Sequence, residues 1–190
     1  MFTSFHKTIS LLKILFRKGL KGFFSFYLQN SIFIIEYTIL EHADSKGESM
    51  ETYISKSEED TKQFAKNLAK DLKTGDILVL TGELGSGKTK FTEGILSYFG
   101  LEDEISSPTF TVVNEYHKAD ICIFHFDVYR LEDIDEFYAI GGEEYFEQGI
   151  CIIEWGEMLE PILPKGYMKI TFEKEDAYPE QRKLKIEKMA

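Results

Sequence analysis

Residues 80–94 read LTGELGSGKTKFTEG, an apolar run that passes through a glycine-rich turn into a lysine. Residues 82–89 match G-x-x-x-x-G-K-[ST] at every fixed position. Glycines let a backbone wrap around phosphate oxygens with its N–H groups pointing inward. The apolar run DILVLTG comes before the turn, and the helix-like segment KTKFTEGILSYFG follows it. The pattern therefore predicts a phosphate-binding P-loop between a buried strand and a helix.

The P-loop predicts specific contacts to a nucleotide. We expect Lys88 to reach the β and γ phosphate oxygens and the Thr89 hydroxyl to ligate Mg²⁺. The positive end of the following helix adds to the attraction for phosphate. The chain has no Asn-Lys-x-Asp motif of the Ras-like GTPase kind, which favours ATP over GTP. The other predicted nucleotide contacts are Glu83, Leu84, Gly85, Ser86, Gly87 and Lys90.

Two acids end neighbouring apolar runs, Asp127 in CIFHFD and Glu154 in GICIIE. A P-loop needs an acid at the end of a nearby strand to hold Mg²⁺, directly or through water. Both acids are candidates, since the carboxyl ends of parallel strands meet at one edge of a sheet. For either acid alone, the alternative is a residue that merely ends a strand at the surface. We predict that His125 is a packed structural histidine and that Phe126 and Tyr129 belong to the core.

Strand-like and helix-like segments alternate along residues 50–190. Ser57 is a predicted N-cap of a helix that ends at Gly75. The predicted strands are DILVLTG, TFTVVNEY, ICIFHFDVY, GICIIEW, YMKITFE and RKLKIEK, and EDIDEFYAIGGEEYF predicts one or two short helices. This order predicts an α/β, P-loop NTPase-like three-layer fold with a mainly parallel central sheet and antiparallel edge strands.

The first 49 residues differ in composition from the rest of the chain. Their apolar run is broken by charged and polar side chains, so it is too short for the ~20 residues of a membrane span. It also lacks the pattern of a signal peptide. The codons of Lys46-Gly47-Glu48 can form a bacterial ribosome-binding sequence before Met50. We therefore expect residues 1–49 to be an extension outside the fold, Met50 to be the natural start and residues 50–190 to form the P-loop ATPase domain. A membrane-surface amphipathic segment is the alternative.

Charge and cysteine content narrow the functional classes. The 190 residues carry a net charge of -11, with six basic and four acidic side chains in residues 1–49, which leaves -13 for residues 50–190. Such an acidic protein is poorly suited to bind nucleic acid by itself, because phosphate neutralisation needs Lys and Arg in excess. Cys122 and Cys151 lie in apolar runs without a CxxC motif, so we expect buried, reduced thiols. Reduced thiols fit a cytoplasmic protein.

The chain resembles the bacterial TsaE family, also called YjeE, the P-loop ATPases of tRNA threonylcarbamoyladenosine biosynthesis. The matching segments are GELGSGKTKFTEG, SSPTFTVVNEY, HFDVYRLED, IGGEEYF, IIEWGE and the Leu163-Pro164 pair, in the family's order across most of residues 54–190. Ser86 stands where the family usually has alanine, which a loop that works through its backbone should tolerate. Residues 1–49 match nothing in the family.

The resemblance implies a Mg²⁺-dependent ATPase that is slow without its partners. Members act with TsaB and TsaD to install a threonylcarbamoyl group on the adenosine 3′ to the anticodon of ANN-decoding tRNAs. The partners carry the transfer chemistry, so this chain is expected to meet tRNA only through them and to bind no membrane.

The resemblance also implies roles for individual residues. Lys88, Asp127 and Glu154 are expected to serve hydrolysis, with Thr89 and Glu154 as Mg²⁺ ligands. Asp127 is a candidate for orienting the attacking water or for linking the Mg²⁺ shell to a moving loop. Arg130 is a candidate for a partner contact, for charge stabilisation or for a surface ion pair. Trp155 is a candidate core residue, interface anchor or nucleotide contact. The expected switch-type loop is Ser107, Pro108, Thr109 and Phe110, and Arg182 is a further expected nucleotide contact.

Two other functions remain as alternatives. A P-loop small-molecule kinase would share the loop and the acids, but such enzymes usually close an arginine-rich lid, and this chain has three arginines, Arg17, Arg130 and Arg182. A non-enzymatic module would bind nucleotide only as an assembly switch. The lysine, the threonine and both acids are present, which favours hydrolysis over that reading.

Overall fold

The structure is a computed structural model that describes residues 49–108 and 111–190, together with strands Ser25–Leu28, Ser31–Ile34 and His42–Ala43. The chain divides into two compact units, Met1–Thr38 and Ile39–Ala190. In the first unit, β1 (Ser25–Leu28) and β2 (Ser31–Ile34) pair as an antiparallel hairpin. The extension and the start at Met50 stay predictions.

Within the described part of the second unit, eight strands form one sheet in the order β3-β4-β10-β9-β5-β8-β7-β6. The strands are β3 (His42–Ala43), β4 (Ser49–Ser55), β5 (Ile77–Gly82), β6 (Val113–Lys118), β7 (Ile121–Asp127), β8 (Ile150–Glu154), β9 (Met168–Lys174) and β10 (Arg182–Lys188). Strands β9, β5, β8 and β7 run parallel, and the flanking pairs are antiparallel. The predicted mainly parallel centre with antiparallel edges is confirmed.

Helices cover both faces of this sheet. The α-helices are α1 (Glu58–Leu68), α2 (Lys88–Tyr98) and α3 (Ile134–Ala139), and 3-10 segments cover Ala69–Asp71, Glu102–Glu104, Gly142–Glu147 and Gly156–Ile162. Because side chains alternate along a strand, β5 contributes side chains to a hydrophobic core on each face of the sheet. Leu78 and Leu80 pack with Phe91 of α2 on one face. Ile77 and Val79 pack with Phe137 of α3 on the other. The predicted three layers are confirmed.

The predicted N-cap of α1 is confirmed, but its predicted end is wrong. The Ser57 hydroxyl accepts a hydrogen bond from the Asp60 N–H at 3.1 Å, which satisfies one of the free donors at the helix start. The helix ends at Leu68 and passes into the 3-10 turn Ala69–Asp71. Gly75 instead lies in the following turn with φ +92°, where its N–H donates to the Gly149 carbonyl at 2.9 Å.

Several other local predictions change. Strand β4 was not predicted, and β6 begins only at Val113 because Thr111 and Val112 form a turn. Phe126 is fully buried as predicted, whereas Tyr129 is exposed. Cys151 is buried as predicted, but Cys122 is half-buried, and both thiols are free.

Among the residues that the structure describes, none of the helices has the length and apolar character of a membrane span.

Candidate nucleotide site

Two glycines set the backbone of the phosphate turn. Strand β5 ends at Gly82, and α2 begins directly after its N-cap Gly87, which has φ +107°. Gly82 has φ +132°, and a Cβ there would lie 2.5 Å from the Phe172 carbonyl oxygen on β9. L side chains rarely adopt either conformation. The sequence therefore fixes a sharp turn at the carboxyl edge of the parallel strands, where the first N–H groups of α2 point away from the helix.

Lys88 lies inside this turn and is 4% exposed. Its Nζ donates hydrogen bonds to the carbonyls of Gly82 at 2.7 Å and Glu83 at 3.1 Å. It also lies 3.7 Å from the centroid of the Trp155 ring. Burial lowers the pKa of Lys88, against the opposing effect of the nearby carboxylate of Glu154. The ammonium contacts neutral groups here, so its charge is available to an incoming anion such as a phosphate.

The acid of β8 lies directly beside the loop threonine. The Thr89 hydroxyl donates to Oε2 of Glu154 at 3.3 Å. The other oxygen, Oε1, lies 2.9 Å from Nε2 of His125. His125 is fully buried and Glu154 nearly so, which confirms that His125 is packed. A carboxylate held from both sides has a fixed orientation towards the loop.

Asp127 ends β7 at the same edge of the sheet. Asp127 and Glu154 are direct partners in the parallel register of β7 and β8, and Asp127 is 8% exposed. Its Oδ1 accepts the Tyr129 N–H at 3.2 Å. The structure thus brings Lys88, Thr89, Glu154 and Asp127 to one edge.

The oxygens at this edge fit Mg²⁺. Mg²⁺ prefers hard oxygen ligands and usually takes one or two carboxylates, waters and substrate phosphates. Thr89 Oγ1 and Glu154 Oε2 supply a hydroxyl and a carboxylate. Within the described residues, no group of three or more His, Cys, Asp and Glu side chains could hold a metal ion by itself. A Mg²⁺ here would therefore depend on phosphate and water for its remaining ligands.

Two basic residues of β9 and β10 brace the loop backbone. Arg182 Nε donates to the Ser86 carbonyl at 3.0 Å, so this predicted nucleotide contact lies against the loop itself. Lys174 Nζ donates to the Leu84 carbonyl at 2.7 Å. Sequence reasoning missed Lys174. The sequence feature that could have indicated this role is a basic residue at the carboxyl end of a strand that runs parallel to β5.

The remaining predicted contacts take different positions around the turn. Glu83 and Leu84 have exposed side chains. Ser86 is buried, and its hydroxyl has no hydrogen-bond partner among the described residues. Lys90 pairs with Glu93 at 3.0 Å on α2. Gly85 has φ +70°. Any contact of the turn residues among them with a nucleotide would therefore come chiefly from the loop backbone.

Trp155 follows Glu154 and covers the lysine. Its backbone is left-handed, with φ +63°, and its N–H donates to the Leu80 carbonyl at 3.0 Å. Its ring packs against the exposed Tyr129 at 4.9 Å between centroids. Trp155 is also partly buried against the core of this face of the sheet, so its ring extends from the core past Lys88 to the exposed Tyr129.

The predicted switch-type loop precedes β6 in the chain. Ser107 is exposed and Pro108 is buried, whereas Thr109 and Phe110 lie outside the described residues. The Pro108 carbonyl accepts the Val112 N–H at 2.8 Å, and the Val112 carbonyl accepts the Asp127 N–H at 2.9 Å. Val112 has φ +67°, a strained conformation for a β-branched residue. The end of the loop is thereby tied to the strand that carries Asp127. Arg130 lies exposed three residues beyond that acid.

A glycine turn that holds a buried lysine, between a parallel strand and a helix and beside two strand-end acids, places the chain in the P-loop class of α/β proteins. The family model described as "Threonylcarbamoyl adenosine biosynthesis protein TsaE" matches residues 55–184. The chain belongs to the TsaE family.

Named relatives agree with this family. The chain is 42% identical over 117 residues to the tRNA threonylcarbamoyladenosine biosynthesis protein TsaE of Bacillus subtilis (strain 168), which covers 61% of this chain and 73% of that protein. It is 39% identical over 119 residues to the TsaE protein of Treponema pallidum (strain Nichols), covering 62% and 87%. Among solved structures, Bacillus YdiB superposes with a TM-score of 0.60 at 30% identity, covering 75% of this chain and 88% of YdiB.

Proposed function

We propose that the protein is the ATP-binding and ATP-hydrolysing subunit required for N6-threonylcarbamoyladenosine modification of the adenosine 3′ to the anticodon in ANN-decoding tRNAs. The observation that carries this proposal is the contact between Thr89 and Glu154 beside the buried Lys88. These residues belong to the segment matched by the family model, and the relatives are named for this modification.

The side chains have distinct roles in ATP hydrolysis. Lys88 binds the β and γ phosphate oxygens and stabilises the charge that develops on them. Bound Mg²⁺ would neutralise charge on the transferred phosphate, held by Thr89 and Glu154. His125 keeps the Glu154 carboxylate in place through its bond to Oε1. Asp127 either orients the attacking water or links the Mg²⁺ shell to the predicted switch-type loop. Its N–H donates to the Val112 carbonyl at the end of that loop. Trp155 and Tyr129 shield one side of the lysine from water.

Partners are needed for the reaction on tRNA. The net charge of -11 opposes direct binding to a phosphate backbone. We therefore propose that TsaB and TsaD bind the tRNA and carry the transfer chemistry, in the cytoplasm, while ATP hydrolysis by this chain drives their cycle. Arg130 and Ser107 are exposed, and together with the neighbouring Pro108 they are the proposed partner contacts.

The decisive experiment is phosphate release from ATP by the full chain, with and without purified TsaB and TsaD. We expect slow release that increases when both partners are added and that needs Mg²⁺. Lys88→Ala should weaken ATP binding in an equilibrium titration and remove the phosphate release. Unchanged ATP affinity in that variant would overturn the nucleotide site.

The same assay separates the two alternative functions. Phosphate release from ATP that does not change when the partners are added, but that requires a small-molecule acceptor, would identify a kinase. Tight ATP binding without turnover in the presence of both partners would identify a nucleotide-dependent assembly module. Either result would contradict the proposed function.

A further inference from the structure

A second cluster of reactive side chains lies at the other end of β7 from the nucleotide site. Cys122 is near the start of this strand, and Asp127 ends it. Five residues of strand correspond to about 17 Å. Cys122 lines a cavity of about 330 Å³ between β6, β7 and the 3-10 segment Gly142–Glu147, with His117, Glu115, Tyr145, Phe124 and Ile140 among its other walls. The proposed ATPase function makes no use of this cavity.

The cavity holds a thiol, a base and a group that orients the base. His117 and Cys122 are direct partners in the antiparallel register of β6 and β7. Nδ1 of His117 lies 3.2 Å from Sγ of Cys122, and its Nε2 lies 3.3 Å from Oε2 of Glu115. In the tautomer whose Nε2–H donates to Glu115, Nδ1 is free to accept the thiol proton. This is the arrangement by which cysteine nucleophiles are activated.

Glu115 is itself held in position by a second donor. The Tyr145 hydroxyl donates to Oε1 of Glu115 at 3.1 Å. Burial and then the hydrogen bond to Glu115 raise the pKa of Tyr145, so the phenol keeps its proton. The titratable groups that line the cavity together with the thiol are Glu115 and His117 on β6, and Glu144 and Tyr145 on the 3-10 segment.

The other cysteine of the chain provides the contrast. Cys151 is fully buried, and burial raises its pKa to about 12. Its thiol donates to the Tyr145 carbonyl at 3.4 Å. A buried thiol with a raised pKa is inert, because the thiolate is the reactive form. The two thiols of this chain are therefore chemically distinct.

A metal site does not explain this cluster. In the described ranges, no set of three or more His, Cys, Asp and Glu side chains has the geometry to hold a metal ion. A half-buried thiol beside an imidazole at the wall of an open cavity instead suits a small, soft electrophile.

We propose that Cys122, His117 and Glu115 form a thiol-exchange site that takes low-molecular-weight disulfides. The Cys122 thiol gives its proton to Nδ1 of His117, and Sγ attacks one sulfur of the disulfide. The S–S bond of the disulfide breaks as a new S–S bond to Cys122 forms. The departing thiolate takes up the proton from the imidazolium, so atoms and electrons balance without another oxidant.

The first test uses the full chain with 5,5′-dithiobis(2-nitrobenzoic acid), a disulfide whose released thiolate is coloured. We expect one fast equivalent in the native protein. Cys122→Ser should remove it, and the matched Cys151→Ser should keep it. Fast labelling that survives in Cys122→Ser would overturn the proposal.

The second test separates a base from a neighbour that only packs. His117→Gln should slow the exchange about tenfold at neutral pH. Since His117 is exposed, the variant should melt at the native temperature. A native exchange rate in His117→Gln would show that the imidazole is not the base and would sink the assignment.

The third test uses oxidised glutathione, the biological type of reagent. Intact-mass and peptide analysis should find one glutathione per chain, on Cys122, that dithiothreitol removes. Modification of Cys151 instead, or none at all under conditions in which the coloured disulfide reacts, would contradict a site for small disulfides.

Discussion

Glu154 is the residue on which the candidate ATPase site depends most. Its two oxygens have different partners, Thr89 for Oε2 and His125 for Oε1. A buried carboxylate is costly unless it has partners, and both oxygens of Glu154 have a hydrogen-bond partner here. The hydrogen bonds orient the oxygen that faces the loop, so the position of one carboxylate links the helix, the loop and two strands.

Glu154→Gln should separate nucleotide binding from hydrolysis. The amide keeps the size of the side chain but loses the charge that a Mg²⁺ ligand needs, so ATP affinity should change little while phosphate release falls about 100-fold or more. Titration with ATP and a phosphate-release assay measure the two effects. Glu147→Gln, which makes the same change at an exposed position, is the control. Native turnover in Glu154→Gln would move the metal role to Asp127.

At the level of elements, the phosphate turn is shaped by its contact with β9. Gly82→Ala would put a Cβ 2.5 Å from the Phe172 carbonyl oxygen at φ +132°. Backbone strain and the forced shift should together cost about 3 kcal/mol or more. Gly75→Ala has a similarly positive φ but open space around its Cβ, so it should cost about 1–2 kcal/mol. Urea unfolding compares the two variants, and equal losses would show that φ alone governs both positions.

The contact between α1 and α2 contains a charge cluster with a predictable pH dependence. Glu93 of α2 accepts from Lys62 of α1 at 2.7 Å and from Lys90 at 3.0 Å. Burial raises the pKa of Glu93, but the hydrogen bonds from Lys62 and Lys90 outweigh it, so the pKa lies below its ordinary value. A carboxylate with a lowered folded pKa stabilises the protein above the unfolded pKa, and this contribution is lost as pH falls through the folded pKa.

Glu93→Gln should therefore destabilise the protein at neutral pH and much less in acid. The lysines are about a third exposed, which limits the loss to less than about 1 kcal/mol. Urea unfolding of the variant and the native protein across the acid range measures the difference. A gap that stays constant with pH would mean that the loss comes from packing and not from charge.

The elements predicted correctly from the sequence are those in which the local residue pattern matches the way the element packs in the fold. The glycine pattern predicted the turn at Gly82 and Gly87, and the apolar runs predicted β5, β7 and β8. Strand β4 was missed because its half-exposed residues follow the break in composition near Met50. Tyr129 was misjudged, since its exposure results from the turn after β7. His125 carried no local sign that its partner would be Glu154, because a parallel register brings the two together.

Considered as a whole molecule, the protein concentrates a few basic groups in an acidic body. Lys88, Lys174 and Arg182 meet at the phosphate turn, while residues 50–190 carry a net charge of -13. Local positive charge can attract a nucleotide, whose phosphates fit one turn. An extended RNA backbone would meet mostly carboxylates. These repel the phosphates at short range, and salt screens the repulsion at longer distances.

The full chain alone should therefore bind unmodified tRNA negligibly even at low salt, where electrostatic attraction would be strongest. Fluorescence anisotropy of a labelled ANN-decoding tRNA, titrated first with the chain and then with TsaB and TsaD added, measures this. We expect no change with the chain alone and binding once the partners are present. Direct binding by the chain that weakens steeply with salt would show a basic surface that the charge distribution does not predict, and this chain would then contact the tRNA itself.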